Sequence, residues 1–269
     1  MARSPFHFRT VCALLALGLL AAVFARAGFW QLDRARQRDA VAQEISAAAE
    51  RPPLELNTTT SASQLHAWRP VVASGKWLHA YTVLIGNRNH EGQPGYWVAT
   101  PLALSEDQHM TVLRGWLPRE RVMDNDPSRP NQVRKALLDE LAEDKATQTI
   151  EGELFPHVPR VFELWSWGAQ DDMALPDSLN DTRDAPVIVQ NLAQEDYAYA
   201  TGLHLLPMVV ARHNGTDHGL IQEWEHPSTD AATNKGYALQ WFGFFTIAAG
   251  AWVALFWRGL RTSFKKDGK

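Results

Sequence analysis

The chain has 269 residues, 45% of them hydrophobic, and a single cysteine, Cys12, which lies inside an apolar run; with no disulfide and no CxxC pair, a thiol oxidoreductase, a cysteine-ligated zinc site and a thiolate copper chaperone are excluded. The net charge of −4 is uneven: between Gly28 and Gly236, 18 Lys/Arg stand against 29 Asp/Glu, a net −11, while Arg258, Arg261, Lys265, Lys266 and Lys269 face only Asp267 at the C-terminal end. An acidic middle repels phosphate backbones, so no nucleic-acid partner is expected.

The first apolar run, Val11 to Ala25, is 15 residues and follows Arg3 and Arg9. Two readings stay open on these residues. Ala25-Arg26-Ala27 has the small-residue pattern of a signal-peptidase site. Alternatively the helix continues through Trp30 with Arg26 snorkelling to an interface, and a retained segment 10–30 then spans a bilayer. Leu32 to Glu50 carries closely spaced charges and then alanines, and predicts a helix that stops before Arg51-Pro52-Pro53. Asn57 to Ser63 is a polar, low-complexity linker. Short β-branched or aromatic runs predict strands at Val71–Gly75, Thr82–Ile85, Gly95–Ala99, Thr111–Arg114, Pro186–Val189 and His204–Arg212, bounded by Gly86-Asn87, Gly92, Pro94, Pro101 and Pro118. Val133 to Ala146 predicts an amphipathic helix, and Leu192 to Gly202 a short one.

Tyr237 to Trp257 is 21 residues without a charge, with Tyr237 and Trp241 at one end and Trp252 and Trp257 at the other. That length crosses a hydrocarbon core, and amphipathic aromatics settle at its two interfaces. The basic tail 258–269 marks the cytoplasmic side. Gly18 and Ala22, and Gly243, Gly250 and Ala254, stand at spacings that allow close helix approach. The expected fold class is two transmembrane α-helices flanking a β-rich domain, a small barrel or sandwich, with a few helices. The expected segments are a cytoplasmic N-terminus 1–9, a first span 10–30, an exported domain 31–236, a second span 237–257 and the tail. The missing Arg/Ser-rich leader before Val11 favours a bacterial inner membrane, with the domain in the periplasm.

No catalytic set emerges. Nothing matches a GxSxG elbow, and Gly28 is followed by bulky residues, not by a phosphate-binding glycine pattern. Carboxylates are plentiful but scattered. His213 and His218 bracket a turn with Asp217, but no further ligand stands at metal spacing, so no metal site is assigned.

Several motifs occur in a specific order. Gly28-Phe29-Trp30-Gln31-Leu32-Asp33-Arg34 follows the first run. Trp68-Arg69-Pro70-Val71 leads to Gly75-Lys76-Trp77. Asn87-Arg88 precedes Gly95-Tyr96-Trp97-Val98-Ala99-Thr100-Pro101-Leu102. Then come Val112-Leu113-Arg114-Gly115-Trp116-Leu117-Pro118, Glu151-Gly152, and Tyr237-Ala238-Leu239-Gln240-Trp241-Phe242. With a helix at each end, this set resembles the Surfeit locus protein family of cytochrome c oxidase assembly factors over nearly the whole chain. The resemblance implies a retained first helix and a β-rich domain on the outer side of the membrane. It also implies a non-enzymatic role in maturing the core subunit of a haem-copper oxidase by assisting haem a delivery or insertion, with a haem a synthase as a further partner. A stably bound oxidase subunit is the alternative. One position departs from the family: Asn234 stands where a histidine is usual, three residues before Tyr237. An amide is a poor iron ligand, which puts haem ligation there in doubt.

Trp30, Gln31, Tyr237, Gln240 and Trp241 would meet at one membrane depth if the helices are antiparallel neighbours. Flat aromatic faces beside amides suit a porphyrin plane or the end of a partner helix; the plainer reading is an interfacial aromatic belt. Arg88 and Arg114 would either clamp a carboxylate such as a haem propionate or pair with the domain's own carboxylates.

Overall fold

The computed structural model describes residues 8–123, 132–143, 146–161, 173–179, 185–213, 215 and 218–264. The chain divides into two compact units, one of residues 1–43 and 226–269 and the other of residues 44–225.

The first unit is a helical hairpin. Helix α1, Phe8–Ala49, runs without interruption through both helical segments expected from the sequence, because the only breaker between them is Gly28, whose cost of about 1 kcal/mol relative to alanine is small in a helix of 42 residues. Helix α4, Ala231–Phe264, is started by Asp230, whose carboxylate accepts the backbone N–H groups of Ala232 and Thr233 at 3.1 and 3.3 Å. Both helices are long and apolar enough to cross a membrane.

The two helices are antiparallel. Gly18 lies against Trp252, Gly28 against Phe242, and Asp39 pairs with Lys235 at 2.8 Å. The seam between them is built from small residues: Ala21, Ala35, Ala231, Ala238 and Ala248 are all buried. Gly243 and Gly250, expected to pack, have nothing within 4 Å of a Cβ built on them. The small residues that bring the helices together therefore come from α1 and from the alanines of α4. Gly243 is five residues from Ala238, which turns it about 140° out of the seam.

The second unit is a closed barrel. Its strands are β1 Leu54–Leu56, β2 Pro70–Trp77, β3 Val83–His90, β4 Gln93–Ala103, β5 His109–Pro118, β6 Gln148–Phe155, β7 Val187–Val189 and β8 Leu205–His213. The ring runs β2–β6–β8–β5–β4 and closes where Lys76 and Trp77 of β2 pair with Ala103 and Leu102 of β4. β5 and β8 are parallel; the other ring neighbours are antiparallel. β3 and β7 extend the sheet beyond β4, and β1 lies parallel to β2. Closure leaves the ring without a free edge. Gly75 and Gly152 permit its tight approaches: a Cβ on either would lie 2.4 Å from a backbone oxygen, of Ala103 and Ala211 respectively.

One buried cluster holds Val71, Ala73, Trp77, Leu102, Val112, Ile150, Leu154 and Val210, which the strand registers bring together from all five ring strands. The opposite faces contribute Ala99, Leu113, Phe155, Val209 and Ala211 to a second cluster with Val83, Ile85, Trp68 and Trp224. Helix α3, Gln194–Thr201, adds Tyr197, which is fully buried and donates its hydroxyl to the carbonyl of Tyr81. Helix α2, Gln132–Leu141, lays Leu137 and Leu141 on Leu84, Tyr96, Val98 and Leu117. The Arg121 guanidinium clasps Glu140 of α2 through two bonds of 3.1 and 3.0 Å. Each large apolar side chain buried in these clusters contributes about 1.5–3 kcal/mol relative to exposure.

Candidate functional site

The seven side chains singled out in the sequence divide between the units. In the helical unit, Gln31 and Asn234 meet directly: the Asn234 Nδ2–H donates to Gln31 Oε1 at 2.6 Å. Asn234 is buried, and its Oδ1 has no hydrogen-bond partner among the described residues. The bridge continues outward as charged contacts, Arg38 to the carbonyl of Asp230 at 2.7 Å and Lys235 to Asp39. Trp241 packs about two turns deeper, with its ring centroid 5.9 Å from Phe24 and 6.0 Å from Phe244. Trp30 and Tyr237 are exposed, at 57% and 49%, and Gln240 is exposed as well. The expected meeting of all five groups is thus partial. Ala238 sits in the seam, and Gln240, two residues on, is turned about 160° away from it.

In the barrel unit, Arg88 and Arg114 stand on different indoles. Arg88 is buried on β3, with its guanidinium carbon 4.4 Å from the ring centre of Trp97. Burial pulls its pKa down to about 10, and its Nε and Nη2 have no hydrogen-bond partner among the described residues. Its carbonyl accepts the Trp116 indole N–H at 3.0 Å. Trp116 lies over Gly95, where an added Cβ would come within 2.4 Å of the indole and 2.2 Å of the Leu117 carbonyl. Trp97 in turn meets Trp224 edge to face, 5.3 Å between centroids. The motifs Asn87-Arg88, Gly95-Tyr96-Trp97 and Gly115-Trp116 therefore converge on one aromatic knot.

Arg114 is wholly buried. It is the extra residue of a β-bulge between β4 and β5, where Val98 pairs with Gly115 and Ala99 with Leu113. Its guanidinium carbon is 4.6 Å from the centre of Trp77, and an Nη lies 3.4 Å from His79 Nδ1. Arg212, absent from the sequence reading, stands 5.9 Å from the same indole. A signal for it existed: an arginine inside the strand run His204–Arg212, on the same face as Val210. Stacking a guanidinium on an indole offsets part of the cost of burying the charge.

The two turn histidines go to separate carboxylates. His213 Nε2 lies 3.1 Å from Glu153, and His218 Nδ1 lies 3.9 Å from Glu140. Asp217 lies outside the described residues. No cluster of three or more His, Cys, Asp or Glu side chains suited to a metal occurs among the described residues.

A membrane-length helical hairpin with an amide bridge, together with a closed barrel organised by arginine–tryptophan stacks, defines a two-span membrane protein with one β-rich domain. The SURF1 family model matches residues 18–246, which takes in parts of both spans and the whole barrel, and the chain belongs to the SURF1 family. It is 28% identical over 98 residues to the cytochrome oxidase assembly protein SHY1 of Saccharomyces cerevisiae, a match covering 35% of this chain and 25% of that one. It is 31% identical over 98 residues to a SURF1-like protein of Dictyostelium discoideum, covering 33% of this chain and 36% of the relative. The matched stretch thus spans between a quarter and about a third of those relatives' lengths.

Proposed function

We propose that this protein is a non-enzymatic assembly factor for a haem-copper cytochrome c oxidase, acting on the oxidase core subunit during its maturation. The observation that carries the reading is the family match across residues 18–246. The name of the yeast relative supports the oxidase as the client. The reading places the protein in a bacterial inner membrane, with both termini in the cytoplasm and the barrel in the periplasm. The charge-free Tyr237–Trp257 and the basic residues after it support this orientation. Trp30, Gln31, Tyr237, Gln240 and Trp241 are the side chains assigned to partner binding at the outer end of the spans.

Handling of haem a, with a haem a synthase upstream, belongs to the same reading, but the residues present do not fit iron ligation at position 234. Asn234 has no imidazole, and a neutral amide oxygen is a poor ligand for haem iron. Among the described residues of the helical unit the one histidine is His226, which is exposed in the segment before α4. Asn234 is therefore not a haem ligand in this reading.

The test is gene deletion followed by reduced-minus-oxidised spectra of the membranes and immunodetection of the oxidase core subunit. Loss of the a-type signal with core subunit still present supports a role at haem insertion. Unchanged a-type haem and oxidase activity, in a strain without a second copy of such a gene, would remove the assembly reading.

A further inference from the structure

Between Arg9 and Asp33 lie 23 residues, and Arg26 is the one charge among them. Arg26 is seven residues inward of Asp33, about 10 Å of helix. The contacts Gly28–Phe242 and Gly18–Trp252 set it level with Phe244, seven residues beyond Tyr237. It therefore stands within the apolar band of both helices, four residues inside the end of the expected span 10–30, where a lone cation is costly and marks a functional surface. No hydrogen bond or ion pair engages it among the described residues.

Ala22, Val23, Arg26, Ala27 and Trp30 form an open, largely apolar face on one side of α1. At 100° per residue, Arg26 and Trp30 point about 160° away from Gly28, so this face lies on the side of α1 opposite α4. Helical side chains lean toward the N-terminus of their helix. Arg26 thus leans toward the middle of the apolar run, and Trp30, one turn on, leans back over it. The headgroups nearest to Arg26 lie in the opposite direction, beyond Trp30. Small Ala22 and Ala27 leave room for a second helix to approach closely.

We propose that the Ala22–Arg26–Trp30 face of α1 docks a transmembrane helix of another protein that carries an aspartate or glutamate at the depth of Arg26. Charge complementarity names the occupant. A guanidinium in hydrocarbon is satisfied by a carboxylate held at the same depth. A second copy of this chain cannot supply it, because neither 10–32 nor 237–257 contains an Asp or Glu. The partner's identity as an oxidase subunit rests on the assembly-factor reading; the docking surface itself does not.

The test places a benzophenone amino acid at position 22, and at Gly243 on the open face of α4 as control, in the full-length protein in its native membrane. Cross-linked peptides are then sequenced. The expected product from position 22 is an apolar segment with an Asp or Glu within about one turn of the attachment point. Arg26→Leu should cut its yield by at least about tenfold, whereas Arg26→Lys should retain most of it. Converting the partner's acid to its amide should match the loss in Arg26→Leu. Lipid adducts alone, a second copy of this chain, or a yield indifferent to Arg26→Leu in a variant still present in the membrane would overturn the proposal. An acidic segment from a protein unrelated to the oxidase supports the docking surface and counts against the assembly reading. Lipid adducts alone in a strain whose deletion loses a-type haem remove the docking surface and leave the assembly reading standing.

Discussion

Asn234 on α4 donates its side-chain amide to Gln31 on α1 at 2.6 Å and so joins the two helices. Interhelical hydrogen bonds between such groups contribute on average about 0.6 kcal/mol, up to about 1.7. Asn234→Ala and Gln31→Ala should each lower the thermal midpoint of the detergent-solubilised protein, and the double variant should be no worse than the poorer single one. Fully additive losses would mean that the two amides do not act together.

The hairpin's close approach is lopsided. A Cβ at Gly28 would come within 2.8 Å of the Phe242 ring, whereas one at Gly243 meets nothing within 4 Å. Gly28→Leu should therefore cost about 1–3 kcal/mol by overpacking and spread the helices. Gly243→Leu, which meets nothing, should leave the thermal midpoint unchanged or raise it slightly through helix propensity. Equal effects at both positions would assign the seam to the wrong face of α4.

Most of the architecture was legible in local patterns. The charge-free Tyr237–Trp257 fell within α4 and the runs at Val71, Gly95 and Thr111 within strands, while the runs at Thr82 and His204 began one residue before β3 and β8. β6 did not stand out as a strand, although Ile150 and Leu154 alternate with Glu151 and Glu153, because Gly152 interrupts the inward-facing series. The ring itself was beyond local reading. Its closure rests on pairings of residues distant in sequence, such as Lys76 with Ala103 and Val71 with Gly152. The candidate site was legible as residue types but not as contacts. Gln240 was the sharper clue in the sequence, yet Gln31 found Asn234, since a seam of alanines carries little hydrophobic signal to set the phase of α4. Arg88 and Arg114 stand on Trp97 and Trp77, stacks between residues of different strands that no local pattern announces.

The two arginines should respond differently to removal. Arg114 is wholly buried at the bulge against Trp77, so Arg114→Ala leaves a large cavity and should destabilise the barrel by about 3 kcal/mol or more. Arg88 is a desolvated cation with Nε and Nη2 unpartnered among the described residues. Arg88→Met keeps the length and the stack on Trp97 while removing that desolvation cost, and should be neutral or stabilising by about 1 kcal/mol. If Arg88 binds a carboxylate of a client, oxidase maturation in Arg88→Met falls while its thermal midpoint holds. A large loss of stability in Arg88→Met would instead make the guanidinium a structural group.

His109 should make the barrel sensitive to acid. It is buried at the start of β5, and its Nδ1 has no hydrogen-bond partner among the described residues. Burial, joined by the nearby His204, holds its pKa below the ordinary 6.5, against a weaker opposing pull from its bond with the His204 backbone and from Asp107. The folded protein therefore binds fewer protons than the unfolded chain once the pH drops below about 6.5. The stabilisation due to neutral His109 is complete above that pH and is lost as the pH falls through the unfolded and then the folded pKa. Thermal midpoints of the full-length protein in detergent should be flat near pH 8 and decline toward pH 5. His109→Gln, which cannot charge, should show a shallower decline over the same range. The same slope in parent and variant would assign the acid sensitivity to other groups and leave His109 as a packing residue.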